Sequence, residues 1–361
     1  MEAWIIPAFG VNLCRFSVGG RNVIDFNRTL LLARDFTGTP VLYPTPNRVR
    51  NGVFRWEGKD YPQRRAGKPV LEHGLVHTEA WEAAEPVADG SGARLEAWLD
   101  FKEGGTLYQS FPFPHRLGLS FLLTARGIRV TYSICNHGTR ELPFGFGLHP
   151  YFMKITGDDC TWVTLPANAV MDATSDLLPT GRLKRVRGSI YDLGTPAPVS
   201  FLDMDHVFTR LRRGKHARIQ HRGAGLGIDL EATRDFTHLV LYTPRGEKYF
   251  CLENQTCSTD AHNLWDRGFA MESGLKTVKP GAVHSGSVSY AVHFQGGFHA
   301  RRFPLPFRRY RGGAGGTAQG HGRIRRRMDT SDGRAHGSVV GVQEVRIRAE
   351  RGGSQGGESS L

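Results

Sequence analysis

Short apolar segments, cut at intervals by glycine-containing turns, run through residues 1–294 of this chain. Residues 129–135, 161–165, 238–243 and 285–294 are rich in β-branched and aromatic side chains, and several alternate apolar with polar. That is the period of a strand with one face buried. Gly19-Gly20, Glu57-Gly58-Lys59-Asp60, Asn136-His137-Gly138 and Pro280-Gly281 punctuate the pattern as turns. Amphipathic helical stretches with caps are scarce, and nothing repeats at a fixed period. The pattern predicts an all-β fold of one domain over residues 1–294, a large sandwich or barrel. A sheet of that size can present a concave face, on which polar side chains are unusual and therefore informative.

The character changes at residue 295. Residues 295–361 hold 13 arginines against five acidic residues and no lysine, a net of +8 out of the chain's +13. The basic balance that would suggest a nucleic-acid partner therefore sits largely in this tail, and the body carries little of it. The tail is rich in Gly and Arg, with only short apolar pieces such as Val345-Arg346-Ile347-Arg348. Disorder is expected, because so little apolar area cannot offset the entropy of ordering the backbone. Arginine-rich arms do fold on RNA, but a solvated extension is the simpler reading.

Five cysteines, odd in number, widely spaced and without a C-x-x-C pair, argue against a disulfide framework or zinc site and for a reducing cytoplasm. No apolar run is long enough to span a bilayer, and the first residues lack the pattern of a secretory signal. G-x-S-x-G, P-loop and dinucleotide fingerprints are missing, which removes serine-nucleophile and nucleotide chemistries from the front rank.

Several places can carry chemistry. Asn47-Arg48 precedes a hairpin, and Arg48 offers a fork of donors to hydroxyl or carboxylate oxygens. In Glu72-His73-Gly74-Leu75-Val76-His77, glycine after His73 permits close backbone approach to a ligand. Gly74 and Val76 argue against a helix that would pair the two histidines on a metal. His149 stands in Gly147-Leu148-His149-Pro150-Tyr151-Phe152, held extended by the proline. Glu253 follows an apolar strand in Phe250-Cys251-Leu252-Glu253-Asn254-Gln255-Thr256, where burial would raise its pKa. Asp205, in Asp203-Met204-Asp205-His206-Val207-Phe208, is a further candidate. A histidine and a glutamate in one cleft can perform general acid–base catalysis.

In order and approximate spacing these motifs resemble the aldose 1-epimerase (mutarotase) family, over residues 5 to 294. The resemblance implies a galactose mutarotase-like β-supersandwich with an open sugar cleft and no metal or cofactor. It implies Glu253 as the base on the anomeric hydroxyl and His149 as the acid on the ring oxygen. His73 would support the ring-oxygen side, and Asn47, Arg48 and Asp205 would bind sugar hydroxyls. The chain departs from the family's pattern in Leu148, where Asn is common, and in the late motif Glu253-Asn254-Gln255-Thr256. Two alternatives are a hexose 6-phosphate substrate, held by Arg50, Gln63, Arg64 and Arg65, and a sugar-binding module without turnover.

Overall fold

A computed structural model describes residues 1–294, 325–327 and 344–349. Two large sheets make up most of it. The first has 10 strands, in the order Val87–Asp89, Gly92–Phe101, His115–Thr124, Gly127–Asn136, Val283–Phe294, Leu226–Ala232, Ala217–His221, Thr161–Thr164 and Ala197–Pro198, with Glu82–Ala83 beside Gly92–Phe101. The expected strands stand where the alternation placed them, with ends shifted by up to two residues. In His115–Thr124 the residues His115, Leu117, Leu119, Phe121 and Leu123 are all buried, while Arg116 is exposed and Gly118, Ser120 and Leu122 are half-buried. Each of the buried Leu and Phe side chains contributes about 1.5–3 kcal/mol by leaving water.

The second sheet has eight strands, in the order Pro179–Arg185, Ala167–Ala173, Asp205–Leu211, His238–Tyr242, Tyr249–Gln255, Gly147–Leu148 and Val41–Leu42, with Tyr151–Met153 also paired to Tyr249–Gln255. Its central strands are buried on both faces. One face, carrying Phe208, Leu239, Leu241, Phe250 and Leu252, joins the same apolar cluster as Leu117, Leu119 and Phe121 of the first sheet. The other face floors the cleft described below. The all-β expectation therefore holds.

The tail differs from its expectation at two places, the first being Arg325–Arg327, a short strand antiparallel to Glu344–Arg348. Glu344–Arg348 is a strand, antiparallel to Glu2–Ile6 at the chain's start. Val345 and Ile347 are buried at 7% and 0% exposure, while Arg346 and Arg348 both pair with Glu2, at 2.6 and 3.2 Å. The alternation is visible in the sequence, but the open edge that gives it a partner is not. The rest of the tail expected to be disordered lies outside the described residues, apart from 325–327. All five cysteines are free. Among the described residues no helix is long and apolar enough to cross a membrane.

Candidate active site

Gly147 pairs with Gln255, and Tyr151 pairs with Cys251. Continuing that antiparallel register across the gap sets His149 opposite Glu253, and opposed residues project from the same sheet face. The ladder itself is open there. Pro150 has no amide hydrogen, and the amide of His149 donates instead to the carbonyl of Pro40 at 3.0 Å. The glycines of this segment allow the close approach. A Cβ at Gly145 would overlap Cys257 Sγ and the Pro46 ring, and one at Gly147 would stand 3.0 Å from Gln255 Cγ.

His149 Nε2 lies 3.4 Å from Glu253 Oε1, with the side chains 8% and 2% exposed. Gln255, two residues along on the same face, donates its Nε2 to Glu253 Oε2 at 2.9 Å. The Tyr151 ring stacks on His149 at 4.9 Å. The His73 ring meets His149 edge-on at 5.0 Å. Phe36 packs against His73 and His77, at 4.8 and 4.6 Å.

Burial governs the protonation of this cluster. Desolvation pushes Glu253 up to about 8, against a smaller lowering by the Gln255 hydrogen bond. Desolvation lowers His149 to about 4. It also holds His73 well below the ordinary imidazole value, helped by the neighbouring His149, His77 and Arg48. Between those two limits the His149/Glu253 pair holds a single proton.

The neighbouring row on this face reads Asp205, Tyr242, Cys251, Tyr151 across successive strands. Asp205 is therefore on the same face as the pair, two strand spacings away from the glutamate strand, about 10 Å. Arg48 and Glu72 face each other in a bridge between two loops, their side chains 4.0 Å apart. The amide of His73 donates to the Asn47 carbonyl at 2.8 Å. Asn47 and His73 each hold φ at 61°, a left-handed conformation that costs a non-glycine residue about 1–3 kcal/mol and clusters at functional sites. Asn47 Oδ1 accepts from the Arg48 amide at 2.8 Å, so that oxygen shapes the loop. A cavity of about 240 Å³ opens farther along this face, with Asn47, Arg48, Lys184, Tyr191 and Asp205 in its wall, and His149, Glu253 and His73 do not line it.

The structure thus gathers His149, Glu253 and His73 into one contact cluster, while Asp205, Arg48 and Asn47 line a cavity that the cluster itself does not line and that is linked to it by the His73–Asn47 backbone hydrogen bond. The four groups of the phosphate alternative have separate engagements. Gln63 is fully buried on Thr45. Arg64 reaches the Gly67 carbonyl. Arg65 reaches the Gly74 carbonyl, and Arg50 approaches Asp260 at 4.0 Å. Gln255, Tyr151 and Phe36 escaped the sequence reading as site residues. Strand alternation from Glu253 could have marked Gln255, whereas nothing in the sequence marks Phe36. Among the described residues, no three His, Cys, Asp or Glu side chains are grouped to hold a metal ion.

Comparison with known proteins adds a second line. A family model described as aldose 1-epimerase matches residues 4–291. The uncharacterised Escherichia coli protein YihR is 26% identical over 238 residues, 65% of this chain and 74% of that one. Pig galactose mutarotase is 24% identical over 238 residues, 58% of this chain and 67% of its own. The crystal structure of a galactose mutarotase-like protein from Clostridium acetobutylicum superposes with a TM-score of 0.70 at 25% identity, covering 81% of this chain and 92% of that one.

Proposed function

This chain belongs to the aldose 1-epimerase family, and on that premise we propose that it interconverts the α and β anomers of a free aldose by acid–base ring opening. The observation that carries the reading is the buried His149–Glu253 pair, 3.4 Å apart on one sheet face. Anomer exchange must remove a proton from the C1 hydroxyl and deliver one to the ring oxygen, two atoms bonded to the same carbon. A single acid–base pair at contact distance suits that demand, and each positioned group is worth about 10²–10⁴ in rate.

In this mechanism Glu253 takes the proton from the C1 hydroxyl while His149 protonates the ring oxygen. The C1–ring oxygen bond breaks, leaving the open-chain aldehyde. Rotation about C1–C2 presents the other face of the carbonyl, and ring closure returns both protons. The pair carries one proton throughout each half-reaction. In the empty cleft that proton rests on Glu253, whose pKa burial has raised, and the reactive arrangement has it on His149. His73, neutral and edge-on to His149, supports the ring-oxygen side. Asp205 and Arg48 bind hydroxyls remote from C1, and Asn47 holds the loop that presents Arg48. No group of this mechanism requires a cofactor, and we place the enzyme in the cytoplasm.

Polarimetry on freshly dissolved α-aldoses, with and without the protein, tests the proposal. Acceleration is expected that the Glu253→Gln variant abolishes. Acceleration by that variant equal to the parent's would overturn the assigned mechanism. No acceleration of any free aldose, with hexose 6-phosphates also unaffected, would leave a sugar-binding module.

A further inference from the structure

On the opposite side of the catalytic strand lies a second cavity, of about 450 Å³, within the range of about 300–1,000 Å³ typical of small-molecule sites. It is reached from the end of the sandwich where residues 211–217 connect two strands belonging to different sheets. Its floor is apolar and includes Leu230, Phe236 and Leu239. Its rim is cationic, with Arg212, Arg213, Lys215 and Arg234 in the wall and no Asp or Glu among the lining residues. Arg210, also in the wall, is paired with Glu272 at 3.3 Å. Among the described residues the other four cations form no ion pair with a carboxylate, although the Arg212 guanidinium lies against Gly194.

Two side chains on this wall are poorly served by the protein itself. Asn254 is 4% exposed, and its Oδ1 has no hydrogen-bond partner among the described residues. A buried carboxamide in that state costs about 1–3 kcal/mol. It follows Glu253 directly and pairs with Leu239, so strand alternation turns it away from the sugar cleft and toward this cavity. Met271, at the mouth, is an apolar side chain left 73% exposed.

We propose that this cavity is a binding site for a small amphipathic organic anion, its apolar body on the Leu230/Phe236/Leu239 floor and its anionic head among Arg213, Lys215 and Arg234. Charge selects that occupant over the alternatives from the chain itself. The C-terminal tail has a net charge of +8 and a second copy of the chain +13, so both are repelled by the rim. The unpartnered Oδ1 of Asn254, on the strand that carries Glu253, is an acceptor at the floor for a donor group on the occupant's body. The site is thus separate from the sugar cleft but built on the same strand.

The test titrates the full chain with 8-anilinonaphthalene-1-sulfonate by fluorescence and calorimetry. One saturable site is expected, weakened by added salt and displaced by octanesulfonate but not by galactose. The exposed variants Arg213→Glu and Arg234→Glu should each weaken binding about tenfold, the equivalent of about 1.4 kcal/mol, with unchanged melting temperature and unchanged anomer exchange. Binding indifferent to both reversals would overturn the proposal, as would displacement by galactose, which would put the probe in the sugar cleft. Displacement by inorganic phosphate as effective as by octanesulfonate would also overturn it, because the apolar floor would then play no part. Absence of anomer exchange in the unmodified chain leaves the binding and melting readouts intact, so the two proposals fail separately.

Discussion

His149 stands opposite Glu253 across an antiparallel pair of strands, in the one place where that pair has no backbone ladder. Gly147–Gln255 and Tyr151–Cys251 bracket the position, and the two side chains meet at 3.4 Å. Strand register and the packing around the two side chains set this alignment, with exposures of 8% and 2%.

If the pair moves the protons, removing either member should be costly. His149→Ala and Glu253→Gln are each expected to lower the rate of anomer exchange by at least about 10²-fold, the range for a positioned acid or base. Stopped-flow polarimetry or a coupled dehydrogenase assay reads this directly. Circular dichroism should show the fold retained. A variant with near-parental turnover would remove that residue from the mechanism.

The single-proton requirement predicts a bell-shaped pH profile for kcat/KM. Below about 4, His149 gains a second proton for the pair and no base is left. Above about 8, Glu253 has lost the shared proton and no acid is left. A profile flat from pH 4 to pH 9, after correction for spontaneous exchange, would contradict the pairing.

If Glu253 is the base, Gln255, which donates to it at 2.9 Å, acts as a positioning residue whose effect is separable from packing. Its amide hydrogen bond lowers the pKa of Glu253, so Gln255→Met should move the alkaline limb of the profile upward and reduce kcat more than it raises KM. A purely structural role would lower stability and leave the limb in place.

The same burial makes a stability prediction. Folding raises Glu253 from an ordinary 4.5 to about 8. The folded state therefore binds its proton more tightly, and the associated stability is fully present below 4.5 and lost as pH rises through about 8. Compared with Glu253→Gln, which carries no such charge, the parent chain should lose ground steadily in melting temperature from pH 5 to pH 9. A constant difference between the two would mean that the carboxylate is not desolvated.

Gly145 tests how closely the strand must approach. Gly145→Ala should cost about 1–3 kcal/mol in denaturant unfolding, because the new methyl meets Cys257 Sγ and the Pro46 ring. It should also lower turnover, since residues 147–149 would be displaced from the glutamate strand. Stability equal to the parent's would show that the neighbours yield freely.

Much of this fold is legible in the sequence, since period-two patterning and turn chemistry act locally. Residues 129–135, 161–165, 238–243 and 285–294 are strands within two residues of their expected ends. The resemblance of the His73, His149, Asp205 and Glu253 motifs to one family singles out residues that the fold brings to one side of the second sheet. What local pattern cannot decide is which face Glu253 takes, since its strand is buried on both sides and alternation there has no polar half to mark it. Nor can it pair positions 149 and 253, because a strand's register is set by its neighbours and a one-residue slip would turn the histidine to the other side. The same limit applies at Val345 and Ile347. Their alternation is local, but their partners Ile5 and Ala3 on the edge of Glu2–Ile6 lie 340 and 344 residues away in sequence, and only the folded chain brings the two together.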